Sequence, residues 1–116
     1  MVYLKAKVTV TVCCVVFLAL LLVQASAQQT LGGIVGTVTD IQGSILQDVS
    51  VKVIEEGTHL TRTTQSNSAG SYAFPNLPIG TYTLTFIREG FSTARFPGIL
   101  VQADRTVTLP AQMAVG

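Results

Sequence analysis

Asp48-Val49-Ser50-Val51-Lys52-Val53-Ile54-Glu55 sets branched apolar residues at 49, 51 and 53 against Ser50 and Lys52. Side chains on a pleated strand point to opposite faces in turn, so this period of two predicts a strand with one buried and one solvated face. A slip of one residue would bury Lys52, which fixes the register. The same period returns in Thr81 to Arg88, where Tyr82, Leu84 and Phe86 share one face and Thr81, Thr83 and Thr85 the other.

Outward from these two segments the composition stays that of strands. Residues 28 to 116 are rich in Val, Thr, Ile, Tyr and Phe and are cut at short intervals by Gly, Pro, Asn and Asp. No stretch there carries apolar residues at helical spacing with a cap. Seven strands are predicted: Gly33–Asp40, Asp48–Glu55, Leu60–Gln65, Ser71–Phe74, Thr81–Arg88, Phe91–Arg95 and Arg105–Leu109. A turn signal about every 8–12 residues is the pattern of a β-sandwich or barrel. The Thr-Arg-Thr-Thr strand is polar on both faces and suits an edge. Asp40 through Gly43 and Asn67 through Gly70 are read as turns, with Gly70 free to take positive φ. Pro75 through Gly80 is read as a reversal in which Pro75 and Pro78 remove backbone donors and Gly80 relieves the bend. Pro97-Gly98 is expected to break the sixth strand and Pro110 to end the seventh. The expected core is Ile34, Val38, Val49, Val51, Val53, Tyr72, Phe74, Tyr82, Leu84, Phe86, Phe91, Val107 and Leu109.

The N-terminus differs in kind. Lys5 and Lys7 precede an uncharged apolar run from Val8 to Val23, and Gln24-Ala25-Ser26-Ala27 comes next. These are the three parts of a secretory signal peptide. The run is shorter than the roughly 20 residues that cross a bilayer core. Small side chains at Ala25 and Ala27 place cleavage between Ala27 and Gln28, in preference to an uncleaved anchor. Both cysteines, Cys13 and Cys14, leave with the signal, and neither stands where lipidation needs it. The division expected is a signal peptide over 1–27, a linker over 28–32, one domain over 33–112 and a tail over 113–116.

Beyond Ala27 five basic residues (Lys52, Arg62, Arg88, Arg95, Arg105) face six acidic ones, a net charge of −1. Charges so few and mixed form no basic face for nucleic acid. Catalysis by a nucleophile needs a paired base, and a metal centre needs several ligands together. This segment has one histidine, His59, in a predicted hairpin loop, and no cysteine. Glu55 and Glu56 are strand neighbours that point to opposite faces, so they form no acid–base pair. Asp40 alone falls short of the six to eight oxygens calcium takes, and turn capping is the better reading. Tyr72 and Tyr82 share parity with Phe74, Leu84 and Phe86, so they are read as core with hydroxyls at the rim. Phe96, before Pro97, is the aromatic expected at the surface and the one candidate for ligand contact. No enzyme activity, metal or cofactor is expected.

Gly36-Thr37-Val38-Thr39-Asp40, Gly43, Val49 to Val53, Asn67 with Gly70-Ser71-Tyr72-Ala73-Phe74, Leu77-Pro78-Ile79-Gly80-Thr81-Tyr82-Thr83-Leu84 and Gly90-Phe91 occur in that order. The series, over about residues 31 to 112, resembles the carboxypeptidase regulatory-like domain. The string from Asn67 through Leu84 is its specific part. The resemblance implies an all-β, seven-stranded Greek-key-type sandwich of transthyretin-like (prealbumin-like) form, also grouped with carbohydrate-binding-like folds. Ile41 and Gln47-Asp48 depart from the family's usual prolines and glycine, which implies a looser first loop. Some adhesin relatives carry a Lys–Asn crosslink; with Lys52 the only lysine after the signal and no asparagine beyond Asn76, none is expected here. The resemblance also implies an accessory role. A signal joined directly to this domain is most similar to the periplasmic N-terminus of Oar-like TonB-dependent outer-membrane receptors, whose plug and barrel 116 residues cannot contain. The expected protein is thus exported, to the periplasm or outer membrane of a Gram-negative bacterium or secreted. Its expected partners are envelope proteins or glycans, with membrane association only through a downstream barrel. A stand-alone carbohydrate-binding module is the alternative.

Overall fold

The computed structural model describes residues 2–25 and 30–116. Helix α1 runs Val2–Ala25. Eight strands come after it: β1 Leu31–Asp40, β2 Ser50–Glu55, β3 Thr61–Gln65, β4 Ser71–Pro78, β5 Gly80–Ile87, β6 Ala94–Val101, β7 Thr106–Thr108 and β8 Ala111–Met113. One sheet has the order β4-β1-β7, with β8 also on β1, and the other the order β3-β2-β5-β6. The polar β3 is an edge strand, as its composition predicts.

The eighth strand has a simple origin. β7 pairs in parallel with β1 as Gly33↔Thr106 through Val35↔Thr108, and β8 as Val38↔Ala111 through Asp40↔Met113. The offset is the same, so the two are one edge ribbon interrupted at Leu109-Pro110. Pro110 has no N–H to give, yet the strand expected to stop there resumes, and Ala111 and Met113 are buried. Val115 then bridges Phe91, so most of the expected tail belongs to the fold. At the other boundary, Leu31 and Gly32 of the expected linker already pair with Pro78 and Leu77.

Two predicted breaks are bulges inside longer strands. Gly32↔Leu77 is succeeded by Ile34↔Phe74, which leaves Pro75-Asn76 opposite Gly33 alone. Tyr82↔Ile99 is succeeded by Leu84↔Phe96, which leaves Pro97-Gly98 opposite Thr83 alone. Each pair is a proline and then a left-handed residue, Asn76 at φ 57° and Gly98 at φ 74°. An edge strand accepts proline at a bulge because the ladder is already interrupted there. β4 therefore continues to Pro78 and reverses at Ile79, and the sixth strand starts at Ala94 and continues to Val101 in place of the expected Phe91–Arg95.

The core holds ten of the thirteen residues expected, joined by Leu46, Leu77, Val101, Ala111 and Met113. Phe91, Val107 and Leu109 pack against it only half-buried. Phe91 sits outside any strand, under the Arg88 guanidinium at 5.5 Å. Among the described residues every core side chain lies between Ile34 and Met113, and Tyr3 to Leu20 of α1 are exposed.

Helix α1 has 24 residues, about 36 Å at 1.5 Å per residue. It is long and apolar enough to cross a membrane, a test that signal sequences near an N-terminus also pass. Ala25 closes the helix; Ala27, Gln28 and the expected cleavage point lie outside the described residues.

Candidate functional site

At the end of the sandwich where β1 finishes, one turn is built twice. Asp40 Oδ1 accepts the N–H groups of Gln42 (2.9 Å) and Ser44 (3.0 Å). Asn67 Oδ1 accepts those of Ala69 and Ser71, both at 3.0 Å. In each turn the glycine three residues on donates to the first residue's carbonyl, Gly43 at 3.1 Å and Gly70 at 2.9 Å. Both glycines have positive φ, 87° and 72°, the conformation that costs other residues most. Asp40-x-x-Gly43-Ser44 and Asn67-x-x-Gly70-Ser71 are thus the same device, and Asp40 is a turn cap as expected. Between them lies a residue that sequence reasoning missed. Ser66 is buried, donates from Oγ to Leu46 O at 2.8 Å and accepts from Val49 N–H at 3.0 Å. Extending the alternation of β3 by one step, with Arg62 and Thr64 facing inward, would have placed Ser66 inside.

At the opposite end, charged side chains close the bulges. Arg62 on β3 donates from Nη1 to the carbonyls of Pro75 and Asn76, each at 3.0 Å. Glu56 Oε1 accepts Gly98 N–H at 3.1 Å and the Thr83 hydroxyl at 3.0 Å. Glu55 takes the N–H of Thr58, and this backbone bond leads the contacts that hold its carboxyl below the usual glutamate range. Gly80 lacks the positive φ its turn role implies. A Cβ there would stand 2.8 Å from Glu55 Oε1, the movable end of a side chain and not backbone. Beside it, Ile79, Gly80, Leu100, Val101, Gln102 and Ala103 line an open hollow of about 360 Å³.

Both tyrosines are core with a satisfied hydroxyl. Tyr72 donates to Leu109 O at 2.5 Å, across Gly36, where a side chain would overlap that carbonyl. Tyr82 donates to the carbonyl of Pro78, the last residue of β4, at 2.7 Å. Burial raises both phenols above their ordinary range; for Tyr82 the Glu55 charge adds to this and Arg62 opposes it. Phe74, Tyr72, Phe86 and Phe96 form a chain of edge-to-face rings with centroids 6.3, 5.2 and 5.6 Å apart. Phe96, expected at the surface, is therefore half-buried: the bulge after it keeps β6 in the sheet and turns its ring inward against Phe86. His59 is exposed at φ 62° in the β2–β3 hairpin. Lys52 stands on the solvated face of β2.

Among the described residues no three His, Cys, Asp or Glu side chains come together as a metal group. The carboxylates of Asp40, Glu55 and Glu56 are each engaged by backbone N–H groups of turns or bulges. The arrangement offers surfaces for recognition: two loop-bearing ends, open hollows that include the one beside Gly80, and the outer face of the β3-β2-β5-β6 sheet with Thr61, Thr63, Lys52, Thr85 and Arg95.

No curated protein sequence matches the chain. Among solved structures, a protein of Bacteroides uniformis assigned to carbohydrate binding shares the fold with a TM-score of 0.58 at 20% identity, over 70% of this chain and 40% of that one. GBS52, the minor pilin of Streptococcus agalactiae, aligns with a TM-score of 0.61 at 14% identity, over 76% of this chain and 46% of its own. Hydroxyquinol 1,2-dioxygenase of Pseudomonas putida DLL-E4 gives 0.61 at 7% identity, over 78% and 58%. The chain thus spans between 40% and 58% of each, and at these identities the likeness is one of fold. With its two sheets, the Asn67 to Leu84 turn-and-strand string and a match over residues 33–114, the chain belongs to the carboxypeptidase regulatory-like domain family.

Proposed function

We propose that this protein is an exported accessory and interaction domain, the periplasmic N-terminal unit of a TonB-dependent outer-membrane receptor. The observation that carries the reading is the order of parts: an apolar helix with basic residues at its start, then at once a non-catalytic regulatory-like domain. The strand order supports it. Leu31 lies at one end of the sandwich, while Val115, past Met113, lies at the other, with Asp40. A domain threaded lengthwise suits a spacer placed in line with a downstream plug and barrel. The carboxylates engaged in turns and bulges leave recognition, by loops or a sheet face, as its activity.

An antibody against residues 30–116, used on fractionated cells, tests this. A band many times the 12.3 kDa of this chain, in the outer membrane, is the expected result. A small soluble band in the periplasm or medium would overturn the receptor reading. It would favour the alternative, a stand-alone carbohydrate-binding module, for which the Bacteroides uniformis neighbour is the motivating likeness. Phe96 is then the residue to vary, and a glycan array on which neither the parent nor Phe96→Ala binds would remove that alternative.

A further inference from the structure

A β-sandwich of two open sheets has four edges, and an edge strand is a row of unpaired backbone groups that templates another strand unless something blunts it. Three of the four edges here are blunted. β4 carries Pro75 and Pro78, a bulge, and the Arg62 guanidinium on the carbonyls of Pro75 and Asn76. β6 carries Pro97 and left-handed Gly98. β7 and β8 are three-residue pieces parted at Pro110. β3 alone is regular over its whole length, from Thr61 to Gln65, with no proline and no bulge.

The ladder settles which groups of β3 are free. Glu55 N–H bonds to Leu60 O at 2.8 Å and Ser66 N–H to Val49 O at 3.0 Å. Bonded pairs alternate along an antiparallel ladder, so Leu60, Arg62, Thr64 and Ser66 turn their backbone groups toward β2. Thr61, Thr63 and Gln65 turn theirs away from it, and all three are exposed. These residues are symmetric about Thr63.

We propose that β3 pairs antiparallel with β3 of a second copy of this chain about a two-fold axis at Thr63, joining two four-stranded sheets into one of eight. Thr63 then faces its own copy and Thr61 faces Gln65, with two backbone bonds in each of the three pairs, so that every outward group of β3 is satisfied. Threonine pairs opposite each other are favourable in sheets, and like charges are destabilising. No charge meets its like at this seam, because Arg62 lies opposite Thr64 and is held by carbonyls of its own chain. Lys52 pairs with Thr63 on the inner side, so the two copies of Lys52 stand three strand spacings apart, about 14 Å, beyond the screening length at physiological salt, roughly 8 Å. A five-residue seam falls far below the roughly 1,200 Å² that a stable complex buries, so the association is weak and appears only at high protein concentration.

Sedimentation equilibrium of residues 28–116, whose core is self-contained, tests this on a series rising to about 1 mM, the weak end of specific binding. The weight-average mass is expected to climb toward twice the monomer mass, with slower exchange of the Thr61, Thr63 and Gln65 amides at the top of the series. Thr63→Lys sets like charges face to face on the axis and Thr63→Pro removes the central donor; both are expected to hold the mass at the monomer value. Thr85→Lys, on the same face but two strands inward, is expected to associate as the parent does. A parent mass that stays flat throughout, or association that survives both Thr63 variants, would overturn the proposal.

Discussion

The two turns at the Asp40 end and the two proline bulges of the edge strands solve the same problem by different means. Both leave backbone groups without ladder partners, and both contain left-handed residues. In the turns the missing partner is local: Asp40 and Asn67 bond to N–H groups two and four residues on. In the bulges it comes from elsewhere in the chain. Arg62 reaches carbonyls 13 and 14 residues away, and Glu56 an N–H 42 residues away. The sign of the cap matches the orphan group, a cation for carbonyls and a carboxylate for an N–H, since charge-assisted bonds are the stronger ones. A turn can therefore form as soon as its own five residues meet. A bulge is closed only once the sheet around it exists.

The sharpest test of that contrast sets two glycines of nearly equal φ against each other. Gly70 at 72° has the Val38 carbonyl 2.9 Å from where a Cβ would stand, whereas Gly98 at 74° has nothing within 4 Å. Urea unfolding should show Gly70→Ala losing about 3 kcal/mol, conformational cost plus overlap. Gly98→Ala should lose only the conformational part, about 1 kcal/mol. Equal losses would mean that φ alone matters and that the neighbouring strand gives way.

Smaller effects separate the caps. Asn67→Ala should cost about 1 kcal/mol by freeing two N–H groups, while Asn67→Asp and Asp40→Asn should each stay within about 0.5 kcal/mol, because the two turns use the same oxygen in the same way. Arg62→Met, which keeps the stem but not the guanidinium, should cost less than about 1 kcal/mol at this half-exposed site. Its signature should be faster amide exchange confined to β3 and β4, whereas a turn variant should loosen the ladder next to its own turn.

The subtlest effect is one of pH. Glu55 is held below its ordinary range in the folded chain, chiefly by the Thr58 N–H. Its contribution is complete above the unfolded pKa and is lost as pH falls through the folded one. Protection of the Thr58 amide, monitored by NMR, should decline at acid pH, and Glu55→Gln should abolish that pH dependence. An unchanged acid profile in the variant would assign the decline to another group.

The same division between local and distant partners explains how much is legible in the sequence. Strands with a period of two, Ser50–Glu55 and Gly80–Ile87, are readable with their apolar faces, because alternation is a property of the chain itself; Thr83, expected on the open face, is the exception, buried at the β6 bulge where Glu56 takes its hydroxyl. The Asp40 and Asn67 turns are readable for the same reason. The extension of β4 past Pro75 and of β6 past Pro97 is not, since proline ends a central strand but is tolerated at an edge bulge, and edge position is assigned only by the assembled sheet. The surface position expected for Phe96 fails on that same point. Ser66 continues the alternation of β3 by one step and is legible on that ground, whereas Arg62 and Glu56 meet partners 13 to 42 residues away that nothing near them announces.

Alone, the sequence determined the signal-like apolar N-terminus, the all-β class, the family and most of the core, because hydropathy period and turn chemistry act over a few residues. Only the tertiary structure decided which strands are edges, where prolines are absorbed, which charges close the bulges and which single edge stays open. Those outcomes depend on groups brought together from distant parts of the chain, and no local alternation encodes them.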